Sequence, residues 1–238
     1  MFDIHCHLIP EVDDGAQSLE EACAMARIAY ESGTSTLVAT PHYNVPGSFQ
    51  NISGTHLKNQ FSKLCDSIQN SKNPIRVMLG MEVFATDDIA NKIGSGEIVM
   101  LNDSRYILIE FDMNDHPLHV NGLLDQIAHL GLVPVIAHPE RYAFMQHEME
   151  NAFYWKTKGY IIQLNKGSIQ GSFGSRIRRT ACNMLRMNLA HVIASDGHSP
   201  YQRTPDLFDI YEYVSDHYSR EYADDLLKNI PEMIINNL

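Results

Sequence analysis

The sequence predicts an α/β fold in which parallel strands alternate with helices. Three observations predict it: apolar runs rich in β-branched residues recur along the chain, helical stretches separate them, and polar residues follow them. The chain has 238 residues, with no low-complexity tract, no repeat of fixed sequence and no Pro/Gly-rich linker. We therefore expect one domain that spans residues 1–238.

Seven apolar runs are predicted as strands, because each is short and ends at polar or turn-forming residues. Several are nearly continuous, as expected when both faces of a strand are covered. The predicted strands are Met1–His7, Thr34–Thr40, Ile75–Glu82, Arg105–Phe111, Val133–His138, Tyr160–Asn165 and His191–Asp196.

Helices are predicted between the strands. Ser18 and Glu21 have the spacing of a capping box, and Gly33 is suited to the left-handed position that ends the helix. Apolar residues from Leu57 to Ile68 form one helical stripe. Further helices are predicted near Leu118–Leu130, Met145–Lys158, Ser175–Met187 and Pro205–Tyr218, with a helical tail over Arg220–Leu238.

The longest stretch without a pattern is Pro41–Gly54. It contains two Pro-containing pairs and little periodicity. A surface loop and a lid over a functional site are equally good interpretations of such a stretch.

Composition limits the classes of function and the compartment. The chain has 18 Lys+Arg against 29 Asp+Glu, a net charge of −11, so its surface repels polyanions and sequence-independent nucleic-acid binding is excluded. The first residues lack a signal-peptide pattern, and no run of roughly 18 apolar residues occurs. We therefore expect a cytoplasmic protein without membrane insertion. The four cysteines are scattered, which predicts reduced thiols; they are Cys6, Cys23, Cys65 and Cys182.

Ionisable side chains end six of the seven predicted strands. The carboxyl ends of parallel strands gather at one face, so we expect these side chains to lie close together. Such a cluster would be repulsive or unsatisfied without cations. The candidate ligands are His5, His7, Asp14, His42, Glu82, Glu110, His138, Asp196 and His198.

Five imidazoles and four carboxylates are more than one cation can use. They suit two or three divalent ions, and the absence of thiolates favours manganese, iron, zinc or magnesium over copper(I) or iron–sulfur clusters. Cys6 lies between His5 and His7, and strand alternation directs it away from them. The remaining histidines are predicted as surface or packing residues: His56, His116, His119, His129, His147, His191 and His217.

These residues belong to motifs that resemble the polymerase-and-histidinol-phosphatase (PHP) superfamily. Within it, the chain is similar to the bacterial manganese-dependent tyrosine phosphatases of capsular and exopolysaccharide biosynthesis, almost from end to end. The motifs are His5-Cys6-His7, Asp13-Asp14-Gly15, Ala39-Thr40-Pro41-His42, Glu82, Leu101–Phe111, Ala137–Tyr142 and Ala194–His198.

The resemblance implies a distorted (β/α)7 TIM-like barrel, a single PHP domain, with a trinuclear metal centre for which manganese is the most expected ion. It implies three ligand groups: His5, His7, Glu82 and Asp196; Glu82, Glu110 and His138; Asp14, His42 and His198, with Glu82 bridging. It also implies that Arg141 and Arg203 contact the phosphate, that His42 belongs to the catalytic set, and that Asn165 orients substrate. The implied partner is a membrane-associated tyrosine autokinase with a tyrosine-rich tail.

The mechanism expected for such a site uses a metal-activated hydroxide on a phosphate monoester. A tyrosyl leaving group, with a pKa of about 10, departs with less proton assistance than a serine alkoxide. No cysteine has an arginine six positions later and no Asp-x-Asp-x-Thr motif occurs, so the expected nucleophile is water. Three functions remain open: a protein-tyrosine phosphatase, a phosphatase of a small phosphomonoester such as histidinol phosphate, and a non-catalytic metal-binding adaptor of polysaccharide machinery.

Overall fold

The computed structural model describes all 238 residues. The strands are β1 (Phe2–Cys6), β2 (Thr36–Ala39), β3 (His42–Tyr43), β4 (Arg76–Leu79), β5 (Glu82–Phe84), β6 (Tyr106–Glu110), β7 (Val133–Ala137), β8 (Ile161–Asn165) and β9 (Val192–Ala194). The helices are α1 (Leu19–Glu31), α2 (Thr55–Gln69), α3 (Ile89–Gly94), α4 (Pro117–His129), α5 (Glu150–Lys158), α6 (Lys166–Gln170), α7 (Ser175–Arg186), α8 (Phe208–His217), α9 (Arg220–Asp224) and α10 (Ile230–Ile235). A π-helical turn joins α9 to α10.

All seven predicted strands are present, but the third is broken in two, and a short strand, β3, follows the second inside the stretch Pro41–Gly54, where no regular structure was predicted. β2 and β3 flank Pro41, which has no N–H to donate, and β4 and β5 flank Gly80. A Cβ on Gly80 would lie 2.9 Å from Leu101 Cδ2, so this close approach requires glycine. Pairing continues across both breaks, because the Gly80 N–H donates to Ala39 O and the Glu82 N–H donates to Pro41 O.

The strands pair in parallel, in chain order, and close into a ring. The pairings run through β1-β2-β4 and through β3-β5-β6-β7-β8-β9. The last contact joins β1 to the segment after β9: the Asp196 N–H donates to His5 O at 2.9 Å, and the His7 N–H donates to Gly197 O at 2.8 Å. The fold is the predicted distorted (β/α)7 barrel.

The barrel interior changes from apolar to ionisable along the strands. On β6, alternation places Tyr106, Leu108 and Glu110 on one face, and the first two belong to an apolar cluster with Ile234 and Ile235 of α10. The C-terminal helix therefore covers the end of the barrel where the strands begin. The ionisable residues lie at the opposite end, as predicted.

The helices follow the predicted boundaries within a few residues, except that α5 begins at Glu150 instead of Met145. At the start of α1, Ser18 Oγ accepts the Glu21 N–H, whereas the Glu21 carboxylate accepts from Gln17 instead of closing the predicted capping box. Gly33 has a φ of +85°, as predicted for the end of this helix. None of the helices has both the length and the apolar composition needed to cross a membrane.

Candidate metal centre

Four side chains converge from the end of β1, the start of β5 and the segment after β9. His5 Nε2 lies 3.2 Å from His7 Nε2, 3.2 Å from Glu82 Oε1 and 3.4 Å from Asp196 Oδ1. His7 Nε2 lies 3.2 Å from Glu82 Oε2 and 3.4 Å from Asp196 Oδ1. The first ligand group inferred from the sequence is therefore one cluster, and it is almost completely buried.

Two residues that the sequence analysis did not select fix the orientation of the two imidazoles. His5 Nδ1 lies 2.9 Å from Gln163 Oε1, and His7 Nδ1 lies 2.8 Å from Asp13 Oδ2. Because an amide oxygen and a carboxylate only accept, both Nδ1 atoms donate and both Nε2 atoms face the cluster. Hydrogen bonds of this kind orient histidine ligands in metal sites.

The second group surrounds Glu82 and Glu110. His138 Nε2 lies 2.9 Å from Glu82 Oε1 and 3.8 Å from Glu110 Oε2. His42 Nδ1 lies 3.1 Å from Glu82 Oε2 and 3.1 Å from Glu110 Oε1. Glu82 thus contacts members of the first group and of the second, and its role as a bridge between metal ions stays a prediction.

The third group is the most exposed. Asp14 Oδ1 lies 3.6 Å from His42 Nε2 and 3.5 Å from His198 Nε2, and the Asp14 side chain is 53% exposed. The turn that carries Asp14 packs directly on β1, because a Cβ on Gly15 would lie only 2.2 Å from His7 O. His42 faces this group through Nε2 and the second group through Nδ1.

The cluster fits cations in its chemistry and in its hydrogen bonding. Asp196 Oδ1 is buried and accepts no hydrogen bond, although it faces His5 and His7. A buried carboxylate oxygen without a partner is costly, and a cation among these atoms would remove that cost. Nitrogen and oxygen ligands without thiolates suit borderline and hard divalent ions.

The pKa shifts reflect the same crowding of charge. Burial alone would lower the pKa of His5, but the carboxylates of Glu82 and Asp196 raise it to about 9. Burial opposes the ionised form of Glu82, yet His5 and His42 hold its pKa well below the usual range. A hydrogen bond from His198 lowers the pKa of Asp14. The carboxylates of Glu82 and Asp14 are therefore ionised, and a cation would displace imidazole protons when it binds.

Two arginines lie beside the cluster on the same side of Asp196. Arg141 Nη1 is 3.7 Å and Arg203 Nη2 is 2.5 Å from Asp196 Oδ2. Both guanidinium groups also face the Phe173 ring, with their central carbons 4.9 Å and 5.8 Å from its centroid. The structure therefore brings the two predicted arginines together, and Phe173, which sequence reasoning missed, lies against both.

Asn165 is buried behind Asp196. Its amide donates to Asp196 Oδ2 at 2.5 Å, and its oxygen accepts from Gln163 Nε2 at 2.8 Å. Its backbone N–H donates to the buried Glu140 carboxylate. Both ends of the Asn165 side chain are thus occupied by protein groups.

The backbone is unusual at three of these residues. His138, Asp196 and Arg203 have φ values of 35°, 50° and 52°, in the left-handed region that non-glycine residues rarely adopt. Such conformations cost free energy and concentrate at functional sites.

The segment after β3 packs on the cluster. The Phe49 ring is parallel to the His42 imidazole within 2°, with centroids 5.7 Å apart. Asn51 Nδ2 donates to Val12 O and His42 O. The stretch Pro41–Gly54 therefore lies beside the cluster, and its role as a lid stays a prediction.

Cys6 and the seven histidines that were predicted not to be ligands lie away from the cluster. Cys6 is buried, and its thiol faces Gly197 O. The seven remaining histidines contact groups outside the cluster or lie on the surface; His191, for example, accepts a backbone hydrogen bond in Nδ1.

The chain is a closed α/β barrel with nine imidazoles and carboxylates clustered at one end and two arginines beside them. These features place it in the class of barrel proteins with a candidate metal centre. Residues 1–236 match the family described as "Capsular polysaccharide synthesis, CpsB/CapC". The chain therefore belongs to the CpsB/CapC family, as the sequence resemblance implied.

Two relatives and one solved structure are similar to this chain over most of their length. Tyrosine-protein phosphatase CpsB of Streptococcus pneumoniae is 32% identical over 240 residues, which are 99% of this chain and 98% of the relative. Tyrosine-protein phosphatase YwqE of Bacillus subtilis (strain 168) is 32% identical over 199 residues, which are 84% of this chain and 78% of the relative. The solved structure belongs to the crystal structures of YwqE and CpsB, which are described as unique metal-dependent tyrosine phosphatases. Its TM-score is 0.92 and its sequence identity is 29%, and the match covers 100% of this chain and 95% of the chain in that structure.

Proposed function

We propose that this chain is a metal-dependent protein-tyrosine phosphatase of capsular or exopolysaccharide synthesis. It hydrolyses phosphotyrosine in a protein substrate by attack of water. The observation that carries the proposal is the juxtaposition of a histidine and carboxylate cluster with two arginines that share Asp196. Family membership supports the same reaction.

The proposed metal ligands are the nine residues of the cluster, in three groups that hold up to three ions, with manganese the most expected. When bound, such ions lower the pKa of a water molecule and neutralise charge on the phosphoryl group. His42 lies between the second and third groups, and we assign it to both. Gln163 and Asp13 keep the Nε2 atoms of His5 and His7 directed at the first group.

Arg141 and Arg203 bind the phosphoryl oxygens. Guanidinium groups present paired N–H donors in a plane, a geometry that matches phosphate. Both side chains are partly exposed, by 24% and 33%, so a phosphate that approaches from solvent reaches them. The phenolate of tyrosine, with a pKa of about 10, leaves without a strong general acid.

The role of Asn165 differs from the substrate contact expected from the sequence. Because its amide is committed to Asp196 and its oxygen to Gln163, we assign it to positioning Asp196. The assignment explains why a buried carboxamide ends β8 at this level of the barrel.

The surroundings of the arginines suit a protein substrate. A cavity of about 520 Å³ adjoins Arg203 and Phe173, and it is lined by polar residues and by Tyr201, which is 80% exposed. A tyrosyl side chain with its flanking peptide fits this open geometry. The proposed substrate is a bacterial tyrosine autokinase in the cytoplasm, a compartment consistent with four unpaired cysteines.

The test compares two substrates of the purified protein. Chelator-treated protein should release little phosphate from a phosphotyrosine peptide, and manganese should restore the rate. The same preparation should turn over histidinol phosphate more slowly. Equal or faster hydrolysis of histidinol phosphate would replace the proposal with a small-molecule phosphatase. Complete inactivity of protein shown by elemental analysis to carry metal would favour a non-catalytic adaptor.

A further inference from the structure

The outer surface of the barrel carries an exposed basic region on α7. This helix contains four arginines and no Asp or Glu, in a chain with a net charge of −11. Arg178, Arg179 and Arg186 of α7 and His217 of α8 line a surface cavity of about 610 Å³. We call these four residues the α7 basic surface.

Arg178, Arg179 and Arg186 form no ion pair with a carboxylate of the chain. No carboxylate lines its cavity, whose other members include Tyr213 and Tyr218. The arginine–carboxylate ion pairs of the structure involve Arg141 and Arg203 instead.

The helix itself gains nothing from these arginines at its start. Arg178 and Arg179 are the fourth and fifth residues of α7, where the helix dipole gives a cation no stabilisation, and the first turn has no acidic residue. Of the three arginines, only Arg186, in the last turn, is favoured by the dipole, and an anionic partner would account for the other two.

Helix α7 begins close to the proposed phosphatase site. Phe173, which lies against Arg141 and Arg203, precedes the first residue of α7 by two positions, so Ser175 is within about 8 Å of it. At 1.5 Å per helical residue, Arg178 to Arg186 lie about 5 to 17 Å farther along. An extended peptide of about 3.3 Å per residue spans that distance in roughly four to seven residues.

We propose that the α7 basic surface docks an acidic segment of the protein substrate, four to seven residues from the phosphotyrosine. The inference deepens the proposed function and rests on it for the identity of the substrate. Arginines bind carboxylates with planar paired donors, and the two tyrosines beside them offer apolar contact to the peptide backbone.

The experiment uses two peptides that differ only in charge. One has glutamate at positions four to seven on both sides of a central tyrosine, and the other has glutamine there. Each is made with phosphotyrosine for kinetics and with plain tyrosine for binding by fluorescence anisotropy. The binding measurement does not depend on hydrolysis, so failure of the phosphatase proposal and failure of this one are distinguishable.

Two triple variants provide the comparison. R178Q/R179Q/R186Q removes three charges from the α7 basic surface, and glutamine preserves helix propensity. K58Q/K63Q/K72Q removes the same number of charges from exposed positions elsewhere. Hydrolysis of p-nitrophenyl phosphate shows that each variant is folded and active.

The wild-type protein should bind the glutamate peptide about tenfold more tightly than the glutamine peptide at low ionic strength, with a corresponding fall in KM. R178Q/R179Q/R186Q should lose that preference and keep its activity on p-nitrophenyl phosphate, whereas the lysine variant should keep both. Equal binding of the two peptides by the wild type, or equal losses in both variants, would overturn the proposal. If R178Q/R179Q/R186Q kept the peptide binding of the wild type but no longer sedimented with phosphatidylglycerol vesicles, the α7 basic surface would be assigned to a membrane instead.

Discussion

Asp13 accepts a hydrogen bond from His7 Nδ1 at 2.8 Å, and the same carboxylate oxygen accepts the backbone N–H of His42 at 2.9 Å. One buried side chain therefore positions members of two proposed ligand groups. Its own pKa is low: burial opposes ionisation, but the contact with His7 outweighs it. Asp13 is expected to contribute to metal affinity without touching a metal ion.

Replacing Asp13 with alanine should weaken manganese affinity by about ten- to a hundredfold, as losses of such supporting carboxylates do. Asp13→Asn keeps an acceptor oxygen, so it should lose less manganese affinity than Asp13→Ala. Manganese titration of the chelator-treated protein measures the effect, with the exposed Asp66→Ala as a control. An unchanged dissociation constant in Asp13→Ala would show that His7 needs no such support.

Variants of the proposed metal ligands and of the proposed phosphate-binding arginines should lose activity in two different ways. His138→Ala or His42→Ala should lower both metal content and rate, because each removes an imidazole from the cluster. Arg141→Ala should keep its metal and slow phosphotyrosine hydrolysis on the order of a hundredfold. Elemental analysis beside steady-state kinetics separates the two classes. Full metal content in the histidine variants, or near-normal turnover in Arg141→Ala, would refute the corresponding assignment.

We expect Phe173 to hold the guanidinium groups of Arg141 and Arg203 in position to bind the phosphate. Cation–π contacts of this kind contribute about 0.5–1 kcal/mol each, so Phe173→Leu, which removes two, should lower kcat/KM roughly five- to thirtyfold and weaken inhibition by inorganic phosphate. Phe173→Tyr, which retains an aromatic face, should behave like the wild type. The control is Phe153→Leu on the exposed side of α5. Equal kinetics for leucine and tyrosine at position 173 would exclude the aromatic contact as the cause.

Stability should depend on pH through His191. Burial lowers its pKa to about 4, and its Nδ1 accepts the Ile162 N–H at 3.0 Å, which requires a neutral ring. The unfolded value is about 6.5, so the unfolded chain binds more protons between pH 6.5 and 4, and stability falls as the pH falls through that window.

His191→Asn keeps an acceptor but does not titrate. Between pH 7 and pH 5 it should lose about 1–2 kcal/mol less unfolding free energy than the wild type. Urea unfolding of the chelator-treated wild type and variant at pH 7 and pH 5 measures this difference in unfolding free energy. Identical losses would mean that His191 is protonated without cost in the folded state.

Local signals in the sequence predicted the alternation of strands and helices and the cluster at the strand ends, whereas the barrel was implied by the resemblance to the PHP superfamily. Apolar runs mark the strands, and a residue such as Glu110 at the end of a run must lie at the carboxyl end of the barrel. The breaks at Pro41 and Gly80 were not predicted, because parallel pairing continues across them, from β2 with β4 to β3 with β5. A period-2 pattern does not distinguish one long strand from two short ones.

The supporting residues were missed for a different reason. Asp13 has the same side chain as its neighbour Asp14, and only the turn around Gly15 decides which of them faces His7. Phe173 comes from the connection between α6 and α7, which is neither a strand end nor ionisable. Its contact with Arg141 and Arg203 depends on tertiary packing that no local pattern encodes.

The most direct test of the account is an anomalous-difference map of a crystal of this protein grown with manganese. We expect peaks enclosed by the imidazole and carboxylate atoms of His5, His7, Glu82 and Asp196, with at least one more beside His138 and Glu110. A map without density among these side chains, from protein that hydrolyses phosphotyrosine in the same manganese buffer, would contradict it.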